Sequence, residues 1–447
     1  MIKNKSWIFI GSFLNKNLSG FISNVAILFT GSVISQSLVV FLTPVIARLF
    51  VPEHFGTVAV IVSLSTILSG ISIFKYELAL IVAKNESEVQ SLTALSASIL
   101  IIFSLFILLN CSILSYFFSD LTLLEIVGSW IFIIPIAVFL SGFFRIMNSL
   151  HMRKKSFKKI AASQVINSIS VRGYRIISGL YFGSTVTHLI VGYLLGYLAA
   201  IVLLIKGLKK IEIKSIFKVN YIELKEIAFK YKKFPLFSTP TVLLLTTSRN
   251  LPVIMFSILF SQHNVGLLAM ALRLIQIPLS MLRDSFRQVY MVKITELRNE
   301  NKNKEVKESL KIITIVLAIS SIIPLVVLIF WGEMLFSYIL GVNWTQAGTY
   351  ASILAPGFIS FLIAAPSSAL FVVYNRQELL LKIQLYRLIL TIIVFLLSYF
   401  YSLVPKNTLI LYSAVYIIFG IVIFSSAYKI VCFLENSPIK EKEIHLL

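Results

Sequence analysis

From about residue 22 to residue 432 the chain runs as apolar stretches of roughly 20 residues or more, parted by short polar interruptions. A helix needs about 20 residues to cross a ~30 Å hydrocarbon core, and there every backbone polar group must be paired within the protein. The pattern predicts twelve helices, at about 22–48, 57–83, 89–118, 125–150, 160–182, 185–206, 234–260, 265–293, 309–332, 346–374, 378–403 and 407–432. The longer stretches imply tilt or interfacial ends. One polar interruption is longer than the rest, a basic and amphipathic segment at 207–233. The expected fold is an all-α polytopic membrane protein of about 12 transmembrane helices, in two six-helix bundles around a central cavity. Its parts would be an N-terminal bundle at 1–206, a basic cytoplasmic linker at 207–233 and a C-terminal bundle at 234–447.

Composition agrees with that class, with 58% of residues hydrophobic and 13% charged. A soluble domain this apolar would have too little polar surface to face water. The net charge of +21 would point to nucleic acid in a soluble protein. Here most of the basic residues cluster in alternate loops, in "HMRKKSFKK", in the 207–233 segment, in "KITELRNENKNKEVKESLK" and around Arg376 and the C-terminus. Arg48 and Lys406 stand at the opposite ends. That asymmetry is the positive-inside rule. It expects both termini in the cytoplasm and removes any need for a nucleic-acid partner.

The two cysteines, Cys111 and Cys432, lie far apart in apolar runs and read as small buried hydrophobes. Five scattered histidines with no i, i+4 pair imply no metal site. The N-terminal "MIKNKSWIFIGSFLNKNLSG" has too short an apolar core for a signal peptide and reads as an interfacial entry to the first helix.

The halves resemble each other weakly. "RLFVPEHFGTVAV" at 48–60 aligns with "ILFSQHNVGLLAM" at 258–270 with a shift of 210, matching Phe50 with Phe260, Gly56 with Gly266 and Ala59 with Ala269. A second match, "HMRKKSF" against "YNRQELL", takes a shift of 223 and pairs Arg153 with Arg376. Gly56 and Gly266 are expected in tight outer turns, and Gly192 and Gly196 form a G-x-x-x-G of the kind that brings helices close. Two parallel six-helix halves are transporter architecture, with a site between the repeats.

Every predicted outward loop is short, whereas an enzyme acting on sugars there would need a larger one to hold donor and acceptor. No phosphate-binding loop, H-E-x-x-H or G-x-S-x-G occurs. The expectation is a carrier, not an enzyme, with no cofactor.

The informative residues are charges inside the apolar stretches. Lys75, Arg145, Arg172, Arg175, Arg249, Arg273, Arg283 and Arg287 fall there, with Arg387 at the border, against Glu77 and Asp284 alone. An arginine at a bilayer centre costs roughly 2.5–3.5 kcal/mol on insertion scales, so each needs a reason. Arg283, Asp284 and Arg287 can neutralise one another locally, and Arg387 and Lys382 can snorkel to the interface. Arg172 and Arg249 lie too far from their flanking loops for that. Lys75, Arg145, Arg172, Arg175, Arg249 and Arg273 are therefore the candidate cavity cations, short of carboxylates and suited to an anionic substrate group. Glu77 either meets a cation on a neighbouring helix or is protonated by desolvation, a structural or an ion-coupling role. Spaced i, i+2, Lys75 and Glu77 are expected on opposite sides of one helix, unpaired.

"LTPVIARLFVPEHFGTVAVIVSLSTIL" followed by "YELALIVAKNESEVQSL" resembles the N-terminal pattern of Wzx-type O-antigen and polysaccharide flippases. The shared elements are Pro44, Arg48, Pro52, Phe55 and Gly56, then Tyr76, Glu77, Leu78 and Ala79. The stretch "RKKSFKKIAASQV" is similar to that family's connection after the fourth helix. The family sits in a larger exporter superfamily with lipid II flippases and multidrug antiporters. The resemblance implies flipping of an undecaprenyl-pyrophosphate-linked oligosaccharide across the cell inner membrane by alternating access. It implies membrane lipid, a polysaccharide polymerase and chain-length proteins as partners. Arginine forks suit phosphate oxygens, and Gln164, Asn167 and Ser168 are candidate sugar donors. The alternatives are a flippase for lipid II or a capsule unit, a multidrug antiporter, which would favour carboxylates in its cavity, and a membrane polymerase or ligase, which would need a large outward loop.

Overall fold

The computed structural model describes residues 27–117, 122–208, 220–300 and 302–436. The N-terminal basic residues, the middle of the 207–233 segment, the C-terminal tail and the side chain of Asp284 lie outside the described residues. So does the proposed local neutralisation by Asp284. Among the described residues there are helices and no strands.

In chain order the helices are α1 (Ile27–Leu49), α2 (Pro52–Ile71), α3 (Tyr76–Val82), α4 (Glu86–Phe117), α5 (Thr122–Val127) and α6 (Ile133–Arg153). Then come α7 (Phe157–Tyr181), α8 (Val186–Lys206), α9 (Tyr221–Lys230) and α10 (Thr239–Leu259). The chain closes with α11 (Gln262–Asn299), α12 (Asn303–Leu340), α13 (Thr345–Ile363), α14 (Ala365–Val373), α15 (Gln377–Phe400) and α16 (Pro405–Asn436). Eleven described segments are long and apolar enough to cross a membrane. The twelfth expected span is α7, which has the length, 25 residues, but carries Gln164, Asn167, Arg172 and Arg175 through its middle. Its polarity, not its length, sets it apart.

Local chemistry explains the boundaries. Pro52 and Pro405 open α2 and α16, where a missing N–H costs nothing and a fixed φ favours the helix. Gly341 ends α12 at φ 107°, a conformation that a Cβ disfavours. At 38 residues each, α11 and α12 would be about 57 Å long, so both project well beyond the hydrocarbon. Along α12 Ile323, Phe330 and Met334 are largely exposed, as expected of a face turned to lipid rather than water.

The chain divides into two compact units. One comprises the residues up to Phe50 with Leu64–Leu243; the other comprises Val51–Ser63 with Leu244–Leu447. Helix α2 is thus shared, its first part packing in unit 2 and its second in unit 1. In unit 2 its Phe55 meets Trp344 edge-on at 5.2 Å and its Glu53 pairs with His263 at 2.7 Å.

The repeat has a sharper register than the sequence suggested. Phe50 N–H donates to Ile46 and Phe260 N–H to Phe256, and α2 and α11 start two residues later in each case. The shift of 210 therefore holds at this corner. The second corner corrects the sequence alignment. Lys154, Lys155 and Ser156 donate to Leu150, Met152 and His151, while Tyr374, Asn375 and Arg376 donate to Leu370, Val372 and Phe371. Lys155 at φ 53° and Asn375 at φ 56° hold the same left-handed position. The shift here is 220, not 223, so Arg376 corresponds to Ser156 and not to Arg153. The matching turns are set by backbone geometry, and the basic residues around them do not keep that register.

Gly56 and Gly266 are not turn residues. Each lies inside its helix, and a methyl group on either would collide with the backbone of the other helix, at Gln262 and Pro52 respectively. Gly192 and Gly196 of α8 do serve close packing, against Arg175 and against Val171 with Asn167.

Candidate functional site

In unit 1 the expected second helix is broken. Residues 72–75 leave the helical conformation between α2 and α3, with Phe74 at φ 48° and Lys75 at φ 62°. Such backbone is costly for residues with a Cβ. Its effect is to turn Lys75 onto Glu77, with Nζ 3.3 Å from Oε1. The expectation that these two do not pair is overturned, because it assumed a continuous helix. From α6, Arg145 brings Nε to 3.7 Å from the same oxygen. Its terminal nitrogens donate to the Ser69 hydroxyl and carbonyl and to Ser72 Oγ at 3.1 Å. Glu77 is buried. Two cations thus surround one carboxylate at a helix break whose carbonyls also need donors.

Arg153 closes the other end of α3, donating to the carbonyls of Ala83 and Leu80 and meeting Glu86 at 3.4 Å. On α7, Arg175 is buried and donates through Nε and a terminal nitrogen to the Leu189 carbonyl of α8, at 3.1 and 2.6 Å. Arg172, also buried, reaches the Ser168 carbonyl of its own helix at 3.4 Å. Ser168 in turn meets Ser35 of α1 at 2.5 Å.

In unit 2 a cavity of about 320 Å³ opens among α10, α11, α13, α15 and α16. Three guanidiniums line it: Arg249 from α10, Arg283 from α11 and Arg387 from α15, with Gln276, Ser280 and Gln384 between them. Phe358, Phe361 and Tyr416 form an aromatic wall. Among the described residues that line it there is no Asp or Glu. Like charges lining one cavity repel, and a shared anion would offset that repulsion. At about 30 Å³ per water the volume holds roughly ten waters. That is room for a pyrophosphate or a sugar ring with its phosphate, not for a whole oligosaccharide.

Arg387 is the residue whose place the sequence misjudged. It does not snorkel. It is buried, donates to Ser248 Oγ at 2.8 Å and lies over the rings of Phe361 and Tyr416 at 4.9 and 4.8 Å. Tyr416 is held by the Tyr412 hydroxyl at 3.1 Å. Lying ten residues into α15, Arg387 reads from the chain alone as able to reach the interface, and its partners on α10, α13 and α16 show otherwise. Arg273, one of the expected cations, is half-buried on α11. It makes no hydrogen bond or ion pair among the described residues. Gln276, Ile277 and Ser280 follow it at i+3, i+4 and i+7, so it extends the same helix face by one turn.

The sequence therefore named Arg249 and Arg273 in this neighbourhood and gave Arg283 and Arg387 other duties. Lys75, Arg145, Arg172 and Arg175 lie in unit 1, bonded to Glu77 or to backbone carbonyls.

Residues 45–349, two thirds of the chain, match the family model described as "Polysaccharide biosynthesis protein". The chain belongs to that family. No curated protein matches its sequence. Among solved structures it is similar to the inward-facing form of a multidrug resistance MATE family transporter of the MOP superfamily. That match has a TM-score of 0.72 and 13% identity, over 90% of this chain and 96% of that one. It is similar to the lipid II flippase MurJ in an inward closed conformation, at 0.68 and 17%, over 95% and 92%. A MOP superfamily transporter from Pyrococcus furiosus, described by the reverse polarity of its binding pocket, matches at 0.54 and 13%, over 92% and 96%. At such identities the likeness shows a shared fold. This polysaccharide biosynthesis protein thus shares its fold with solved transporters of the MOP superfamily.

Proposed function

We propose that the protein is a flippase, not an enzyme, which carries a lipid-linked oligosaccharide across the cytoplasmic membrane by alternating access. The linkage is a pyrophosphate to a polyprenyl carrier such as undecaprenol, and the glycan is an O-antigen or similar repeat unit. The supporting observation is the unit 2 cavity, where Arg249, Arg283 and Arg387 converge with no carboxylate among the described lining residues. A pyrophosphate cannot cross hydrocarbon bare. Planar guanidiniums offer it paired donors, and Gln276, Gln384 and Ser280 offer hydrogen bonds to the first sugar. Aromatic rings give the apolar face of that sugar a flat surface. Membership of the polysaccharide biosynthesis family supports the substrate class. A cationic drug would meet three like charges here, which disfavours multidrug export.

The test is export in cells lacking their own copy of the gene. Surface glycan is measured per unit of membrane-inserted protein for Arg249→Ala, Arg283→Ala and the double variant. Each single change is expected to lower export and the double change to abolish it. Normal export by the double variant at normal abundance overturns the proposal.

A further inference from the structure

Helix α9 is short, amphipathic and lies just before the span that begins at Phe234. Plotted at 100° per residue it has three faces. Leu224, Ile227 and Ala228 pack inward, beside the apolar core of α3, α4 and α6. Glu223, Glu226 and Lys230 occupy a polar face. The third carries Tyr221, Ile222, Lys225 and Phe229. Its three apolar members are 76%, 63% and 70% exposed. Beyond it Leu236 and Phe237, at the start of the span, are exposed too.

A water-facing helix would not present Tyr221, Ile222 and Phe229 together, and a helix inside hydrocarbon would not carry five charged or tyrosine residues in ten. An apolar face flanked by lysines at the end of a span is the pattern of a helix lying in the membrane interface. The helix is also fixed in place. Tyr76 donates to the Ala228 carbonyl at 3.0 Å. Glu88 of α4 holds Lys230 at 2.5 Å and the Tyr231 hydroxyl at 2.8 Å.

We infer that α9 is an interfacial anchor that binds the phosphate of an anionic phospholipid between Lys225 and Lys232, with Phe229 inserted beside the acyl chains. Lys225 stands four residues before Phe229, and Lys232 Nζ lies 4.0 Å from the centre of the Phe229 ring. All three line one surface pocket with Tyr76, Ala228 and Lys230. Glu226 lines it too, but Lys230 is already matched by Glu88. The remaining balance is two lysines against one carboxylate, which favours an anion. A lipid headgroup fits better than free phosphate because the exposed aromatic beside the lysines has use only for a chain-bearing ligand. The anchor has a connection inward as well. Tyr76, its attachment point, stands between Lys75 and Glu77, so lipid contact at α9 bears directly on the broken helix.

The experiment uses the full chain reconstituted in vesicles of phosphatidylcholine alone or of equal parts phosphatidylcholine and phosphatidylglycerol. Backbone amide exchange is read across 221–230. Phosphatidylglycerol is expected to slow exchange there, and Lys225→Gln with Lys232→Gln to remove most of that gain, at about fivefold per lysine. Exchange in α4 reports whether the variant remains folded. Phe229→Ser is expected to weaken protection in both vesicles. Equal exchange in the two vesicle types overturns the proposal, as does a double variant that still responds to phosphatidylglycerol. Protection reproduced by inorganic phosphate added to phosphatidylcholine vesicles overturns the assignment to lipid.

Discussion

Gly56 of α2 and Gly266 of α11 stand where two helices touch backbone to backbone, and they are the same position of the two repeats. Neither has room for a methyl group against the facing carbonyl. The crossing sits at the start of both helices, beside the Glu53–His263 pair and the Thr57 hydroxyl bonded to Gln262 at 3.1 Å. Gly266→Ala and Gly56→Ala are therefore expected to force the helices apart. Overpacking of this kind costs typically about 1–3 kcal/mol. The check is the thermal unfolding temperature of the purified protein, which should fall for both.

The cavity arginines should separate by role. Arg387 braces Ser248 and two aromatic rings, so Arg387→Ala should lower the amount of inserted protein as well as export. Arg387→Lys should recover little, since an ammonium keeps the charge but loses the flat stacking surface. Arg283→Ala should lower export per unit of inserted protein. Immunoblots of membranes alongside surface glycan make the comparison.

Glu77 sits under Lys75 and Arg145. Removing one partner of a buried ion pair costs roughly 3–5 kcal/mol because the other charge is left uncompensated. Glu77→Gln should accordingly reduce abundance, and adding Lys75→Met should restore part of it. If Glu77→Gln instead keeps full abundance while altering how transport depends on pH, the residue is a proton carrier.

On α7, Arg175 and Gly192 of α8 are a coupled pair. A Cβ at Gly192 would lie 2.9 Å from Arg175 Cγ, and Arg175 itself bonds the Leu189 carbonyl. Gly192→Ala and Arg175→Ala should each destabilise the protein. Combined, they should cost less than their sum by about 0.5–3 kcal/mol, the range for residues in contact. A double-mutant cycle on thermal stability measures it.

How much of this could be read from the chain depends on what each residue needed. The all-helical membrane class follows from apolar length, which is local, and eleven of the twelve expected spans meet that pattern among the described residues. Arg249 stands out because no short route to water exists for it, and Arg273 only as a cation inside an apolar stretch. Arg387 did not, since its partners Phe361 and Tyr416 come from distant helices. Lys75 and Glu77 were misjudged because "SIFKYELAL" carries no glycine or proline to announce a break; packing imposes it. The second repeat corner was aligned on charge, three residues off. With the shift of 220, Gln164 corresponds to Gln384 and Asn167 to Arg387, so the first repeat holds polar groups where the second builds its cavity.

The polarity of α7 bears on how the protein is made. Two arginines at mid-helix add about 5–7 kcal/mol to the transfer of a nascent segment from the translocon into lipid. That is enough to hold α7 back when it emerges from the ribosome by itself. Helix α8 follows after a short turn, is strongly apolar, and supplies the Leu189 carbonyl that Arg175 requires. The two therefore have to leave the channel as a hairpin. A chain stopped after Tyr181 would keep its last helix out of the bilayer, and synthesis past Lys206 would draw it in.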